Sequence, residues 1–125
     1  MTEEVLRIAA KNGWSVSVRE QPGKVSFDFR RRTLSGVPFS FTAEAGNGNM
    51  KHLVSEIVSF VGAIEPEKCA MEWMIKSGAM ATSRYRQAVT DMENIRTEAW
   101  LLACELDEFS GHGIFLCRFP WRGSC

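Results

Sequence analysis

The chain has 125 residues, and 15 Lys and Arg balance 15 Asp and Glu, so its formal net charge is zero. This length fits one domain with a hydrophobic core, and a hydrophobic content of 45% excludes a disordered or low-complexity chain. No apolar run approaches the roughly 18 residues that a membrane-spanning helix needs. The residues after Met1 also lack the basic and apolar regions of a secretory signal. We therefore expect a single cytoplasmic domain over residues 1–125 that does not contact a membrane.

The chain begins with a predicted helix over residues 2–12. Thr2 can cap its first turn, and Val5, Leu6 and Ala9 are expected to share its apolar face. Gly13 follows, as expected for a residue that readily takes the left-handed conformation at a helix end.

Residues 14–45 then alternate between apolar and polar side chains, which predicts three short strands. The segments 21–23 and 34–36 contain the Gly and Pro residues of tight turns, so the strands should form an antiparallel meander. Pro38 has no N–H to donate and is expected at the start or the free edge of its strand. One face of this sheet carries a Trp and several Phe, and something must cover it.

Residues 50–108 are predicted to form a layer of helices that covers this face. Their apolar residues recur at helical spacing over 50–64, over 66–77 and over a longer third segment. Residues 114–119 are a candidate fourth strand of the sheet. The predicted fold class is α+β: a three-stranded antiparallel meander, with this candidate addition, packed on one face by three to four helices. The predicted core residues are Trp14, Val16, Phe27, Phe29, Phe39, Phe41, Leu53, Ile57, Val61, Trp73, Val89, Met92 and Leu102.

The four cysteines, at positions 69, 104, 117 and 125, form no C-x-x-C pair and lie at no zinc-ligand spacing from either histidine. Reduced thiols that fill core space are expected for Cys69, Cys104 and Cys117 in a cytoplasmic protein, whereas the terminal Cys125 is expected to be exposed. No metal and no cofactor is predicted.

Two clusters of arginine are the predicted contact groups. One cluster lies at the end of the second predicted strand. The other cluster lies among aromatic residues near the C-terminus, and this composition is typical of binding anchors. The predicted binding residues are Arg30, Arg31, Arg32, Arg118, Trp121 and Arg122. Strand alternation places Arg30 and Arg32 on the polar face. Since no catalytic motif accompanies these groups, we expect a non-enzymatic interaction, regulatory or inhibitory module that binds another protein.

Two alternatives stay open at this stage. The arginines and aromatic residues also suit a small nucleic-acid or nucleotide binder, with guanidinium groups on phosphate and rings stacked on bases. A small enzyme that uses His112 with a nearby carboxylate is the third hypothesis.

Positive and negative charges are unevenly distributed along the chain. Residues 1–55 have a formal net charge of +3, and residues 56–108 have a formal net charge of −5. A surface with two oppositely charged regions allows self-association, so a homo-oligomer is predicted.

Three segments carry a resemblance to known proteins: V-P-F-S-F-T-A-E-A, M-K-H-L-V-S-E-I-V-S-F-V and E-P-E-K-C-A-M-E-W-M. Over residues 24–106 the chain resembles small uncharacterised cytoplasmic proteins that prophages and conjugative elements of gut bacteria carry. The resemblance implies an accessory or anti-defence protein of a mobile genetic element that acts by binding host or defence machinery. It involves structural residues and carries no motif tied to an activity.

Overall fold

A computed structural model describes residues 1–78 and 82–110 of the chain, and their elements follow the predicted order. The elements are α1 (Thr2–Lys11), β1 (Ser15–Gln21), β2 (Lys24–Arg32), β3 (Pro38–Gly46), α2 (Met50–Ala63), α3 (Pro66–Ser77) and α4 (Thr82–Ser110). The α+β prediction is confirmed. The candidate strand at 114–119 lies outside the described residues.

The three strands form an antiparallel sheet in the order β1-β2-β3. Its register aligns Val16 with Phe29 and Phe29 with Phe41, so that apolar side chains of all three strands share one face. Pro38 is the first residue of β3, at one side of the sheet, as its missing N–H requires. The turn between β1 and β2 depends on Gly23, whose φ of 77° a residue with a side chain rarely adopts.

An aromatic cluster occupies the apolar face of the sheet. Phe41 lies at its centre, with ring centroids 5.0 Å from Phe29, 5.4 Å from Trp14 and 4.2 Å from Phe60 of α2. The Phe29 and Phe60 rings stack on Phe41, and the Trp14 ring meets it edge-on, which are the arrangements that aromatic quadrupoles favour. This cluster joins the sheet to the helical layer.

Among the described segments, helices α1 and α2 pack directly on the sheet, and α4 and α3 extend this helical layer. Helix α2 packs on β3, α1 packs beside β1, and α4 runs against α1, α2 and α3. Helix α2 begins where the Asn49 side chain accepts a hydrogen bond from the Lys51 amide at 2.9 Å. Within the described segments, no helix combines the length and the apolar character needed to cross a membrane.

The buried face of helix α1 contains the predicted Val5 and Ala9 and differs from the prediction at one position. Leu6 is 37% exposed, and Ile8 joins Val5 and Ala9 among the buried residues. Positions i, i+3 and i+4 lie on one narrow stripe of a helix, and this stripe meets the sheet and α4. Leu6 lies one position off that stripe, and the prediction for it is wrong.

Five residues of the predicted core are only half-buried: Val16, Phe39, Trp73, Val89 and Met92. Val16 belongs to β1, which has a neighbouring strand on one side only in the described sheet. Phe39, Trp73 and Met92 lie around a pocket instead of inside close-packed core. The other eight predicted core residues are buried.

Candidate functional site

A pocket of about 260 Å³ opens between the β2–β3 loop, α3 and the first half of α4. Its lining residues are Thr33, Ser35, Val37, Pro38, Phe39, Cys69, Ala70, Trp73, Arg84, Gln87, Ala88, Asp91 and Met92. Most of the lining surface is apolar. Concave apolar sites with a few placed polar groups are the usual form of a binding site.

The largest side chains around the pocket come from three different elements. Phe39 lies in β3, Trp73 in α3 and Met92 in α4. Each of them is half-buried, because one side packs on the protein while the other faces the pocket. The small side chains of Ala70 and Ala88 leave the space between them open.

Asp91 supplies a buried carboxylate to the pocket wall, since only 5% of this residue is exposed. The Ser35 backbone N–H donates to its Oδ1 atom at 3.2 Å, and the Ser35 hydroxyl donates to its Oδ2 atom. No lysine or arginine within residues 1–78 and 82–110 forms an ion pair with it. Asp91 is therefore a buried anion that two neutral donors stabilise.

The loop that carries Ser35 is closed by its own hydrogen bonds. The Thr33 amide donates to the Val37 carbonyl at 2.9 Å, and the Val37 amide donates to the Thr33 hydroxyl at 3.0 Å. The Gly36 amide donates to the Thr33 carbonyl at 2.9 Å. This network holds the side of the pocket that bonds to Asp91, so the site is largely preformed.

Apolar surface continues outward from the pocket. Leu34 and Val37 of the same loop are 67% and 40% exposed. Leu34 also lines a second, shallower depression, and this depression shares Ser35, Gln87 and Asp91 with the pocket. Exposed apolar side chains beside a preformed pocket are typical of a protein-binding surface.

The structure distributes the predicted Arg30–Arg32 run over both faces of the sheet. Arg30 and Arg32 lie on the outer face, as the alternation predicts, whereas Arg31 lies on the inner face beside the core. Arg30 pairs with Asp28 at 2.6 Å, and Arg32 donates to the Gly36 carbonyl at 2.7 Å. Arg30 and Arg32 therefore have partners within the chain, and all three arginines line one shallow surface depression.

Arg31 makes internal contacts with three parts of the protein. Its Nη1 atom donates to the Asn12 carbonyl at 3.2 Å and lies 3.5 Å from a Glu98 carboxylate oxygen. Its guanidinium group also lies 5.0 Å from the centroid of the Trp14 ring. These contacts tie β2 to α4 and to the end of α1, which gives Arg31 a structural role.

Basic side chains on the outer face of the sheet are partly neutralised. The Lys24 ammonium lies 2.8 Å from a carboxylate oxygen of Glu44, and its hydrogen bond and charge lower the pKa of that carboxyl. Arg30 is neutralised in the same way by Asp28. A phosphate would have to displace these carboxylates, so this face gives the nucleic-acid hypothesis little support.

The remaining predicted contact residues, Arg118, Trp121 and Arg122, lie outside the described residues, as does His112. Of the cysteines, Cys104 is buried with 2% exposure, and Cys69 is half-buried beside the pocket. Among the described side chains, no group of three His, Cys, Asp or Glu could hold a metal ion.

Comparison of the chain with known protein families, curated proteins and solved structures found no match.

The sequence did not predict the pocket, but it carried one signal of it. Asp91 precedes Ile95 by four positions and Ala99 by eight, so it belongs to the stripe that α4 turns to the core. A carboxylate on a buried stripe requires a partner or a site, because burial of an unpaired charge is costly.

Proposed function

We propose that this protein is a non-enzymatic interaction module that binds a partner protein through the pocket between the β2–β3 loop, α3 and α4. The observation that carries the proposal is a preformed apolar pocket bordered by exposed Leu34 and Val37. Its volume of about 260 Å³ suits one large anchoring side chain. Buried anchors of this kind supply most of the binding energy of protein interfaces.

Site-specific photo-crosslinking in bacterial cells tests this proposal. A photoreactive residue replaces Leu34 at the pocket rim, and a matched protein carries it at Ser17 on the outer face of the sheet. We expect a discrete crosslinked partner from position 34 and none from position 17. Position 17 is a suitable control because it is exposed and lies on the opposite face from the core.

A pocket-filling variant makes the result specific. In Ala88→Trp, an indole ring would occupy the space beside Met92, and the crosslink from position 34 should disappear while the thermal transition is retained. A crosslink of equal yield in this variant, or the same product from both positions, would contradict the proposal. Arg31→Glu is unsuitable as a control because it would remove contacts inside the protein.

The proposal also includes the wider setting that the sequence resemblance implies. The module would act in the cytoplasm as a regulatory, inhibitory or anti-defence accessory protein of a mobile genetic element. It would self-associate through its basic and acidic regions. A protein that light scattering shows to be monomeric at ~100 μM, where micromolar association is visible, would remove the homo-oligomer from the proposal.

A further inference from the structure

The Asp91 carboxylate is the feature of the pocket that a purely apolar anchor does not explain. An apolar side chain would leave this buried charge without a counter-ion and would exclude the water near it, which is unfavourable. Each carboxylate oxygen can accept about two hydrogen bonds, and Ser35 occupies one site on each oxygen. Asp91 can therefore accept further donors from the side of the pocket.

The other walls suit the rest of a basic side chain. Lysine and arginine carry aliphatic stems that pack against apolar surface while their charged ends seek an anion. Phe39 and Met92 supply such surface, and Trp73 adds an aromatic ring of the type that best attracts cations. Apolar walls, an indole and a carboxylate together match an alkylated cation better than a hydrocarbon.

Arg84, the one basic residue among the described side chains that line the pocket, does not neutralise this charge. Arg84 lies two helical turns before Asp91, about 10 Å along the axis of α4. Its side chain is exposed, so its charge is largely screened by water. An anionic ligand that reached Arg84 and entered the pocket would approach the buried carboxylate and be repelled.

We infer that the pocket binds a lysine or arginine side chain of the partner protein, with the aliphatic stem between Phe39, Trp73 and Met92 and the cationic end at Asp91. The inference rests on the proposed function, because it names the chemistry of the anchor that the partner inserts.

Small probes of similar length test the chemistry of the pocket without the partner. The full-length protein is titrated with n-butylguanidinium, 1-pentanol or pentanoate while the amide and indole N–H signals are followed by NMR. Trp73→Phe identifies the indole signal that reports on the pocket. We expect the cation to shift this signal at millimolar concentration and to bind at least 10-fold more tightly than the alcohol or the carboxylate.

Variants then assign the preference to one carboxylate. Asp91→Asn keeps the shape of the side chain and should abolish the difference between cation and alcohol. Asp28→Asn removes a carboxylate from the outer face and should leave that difference unchanged. Ser35→Ala keeps the Asp91 charge while it removes one hydrogen bond, so cation selectivity should persist.

The probe experiment has clear contrary outcomes. If 1-pentanol or pentanoate binds as tightly as the cation to the wild-type protein, or if Asp91→Asn retains the preference, the inference is wrong. The wild-type titration decides the question even if Asp91→Asn fails to fold. A crosslinked partner at position 34 with no cation preference would refute the inference and leave the proposed function standing. Cation binding without a crosslink would refute the proposed function and the partner's part in the inference, and it would leave only the cation preference of the pocket.

Discussion

Phe41→Ala tests the centre of the fold most directly. Phe41 is 7% exposed and contacts the rings of Phe29, Trp14 and Phe60, so it links two strands, the segment before β1 and helix α2. Removal of its ring leaves a cavity that neighbouring rings cannot fill without breaking their own contacts.

The expected loss follows from burial and from the ring contacts. Burial of a phenylalanine makes its truncation to alanine cost about 3–5 kcal/mol. Aromatic contacts contribute about 0.5–1.5 kcal/mol per pair beyond burial, and three such pairs place Phe41→Ala in the upper part of that range. Phe41→Leu keeps most of the buried volume and loses the three ring contacts, so we expect a loss of about 1.5–3 kcal/mol.

Urea unfolding followed by circular dichroism measures this difference. The midpoint for Phe41→Ala should fall by about 1.3–5 M at an unchanged slope, because slopes for small domains are about 1–3 kcal/mol per M. Ser40→Ala is the matched control, since Ser40 precedes Phe41 on β3 and is exposed on the outer face. Its midpoint should hardly move.

The opposite pattern would refute the strand register. A shift of β3 by one residue would place Ser40 in the core and Phe41 in solvent. A loss below about 1 kcal/mol for Phe41→Ala, combined with a larger loss for Ser40→Ala, would show that shift.

Three further predictions concern single side chains. Arg31→Met should lower the free energy of unfolding by about 1–3 kcal/mol, because it removes a hydrogen bond, an ion pair and a cation–π contact. Arg30→Met is the control and should be nearly neutral in the same urea assay. Lys24→Met should raise the pKa of Glu44 in an NMR titration. The Lys24 ammonium holds the pKa of Glu44 below its ordinary value, so the pair stabilises the protein at neutral pH. This contribution is lost as the pH falls through the pKa of Glu44 in the folded protein. An unchanged pKa of Glu44 in Lys24→Met would exclude the contact. Gly62→Ala should stabilise the protein by about 0.5–1 kcal/mol, since a Cβ atom at this exposed position of α2 meets no atom within 4 Å, and a lower melting temperature would contradict this.

Much of the fold follows from periodicity along the chain. Alternation over residues 14–45 correctly placed three strands, and helical spacing placed α2 and α3 within one residue of their observed ends. These signals are local, because the direction of each side chain depends on the backbone conformation of its own segment. The error at Leu6 shows the limit of this local signal, because it does not decide which of two adjacent apolar residues, Val5 or Leu6, faces the core.

The candidate site followed from the sequence much less completely. The Arg30–Arg32 run is conspicuous in the sequence, yet alternation of the strand sends Arg31 to the inner face, where it contacts Asn12 and Glu98. Its charge predicted a ligand, and the structure shows partners within the chain. For all three arginines, binding to another molecule stays a prediction.

Side-chain periodicity along the chain is sufficient to place the helices and strands, and the apolar side chains on one face of the sheet require that this face be covered. Tertiary packing brings together Ser35 and Asp91, which lie 56 positions apart, and it leaves open space among Phe39, Trp73 and Met92. The physical reason is that element type depends on the period of side chains within one segment. A pocket depends on how side chains of different segments fail to fill the volume between them, and this is set only when the helices dock on the sheet.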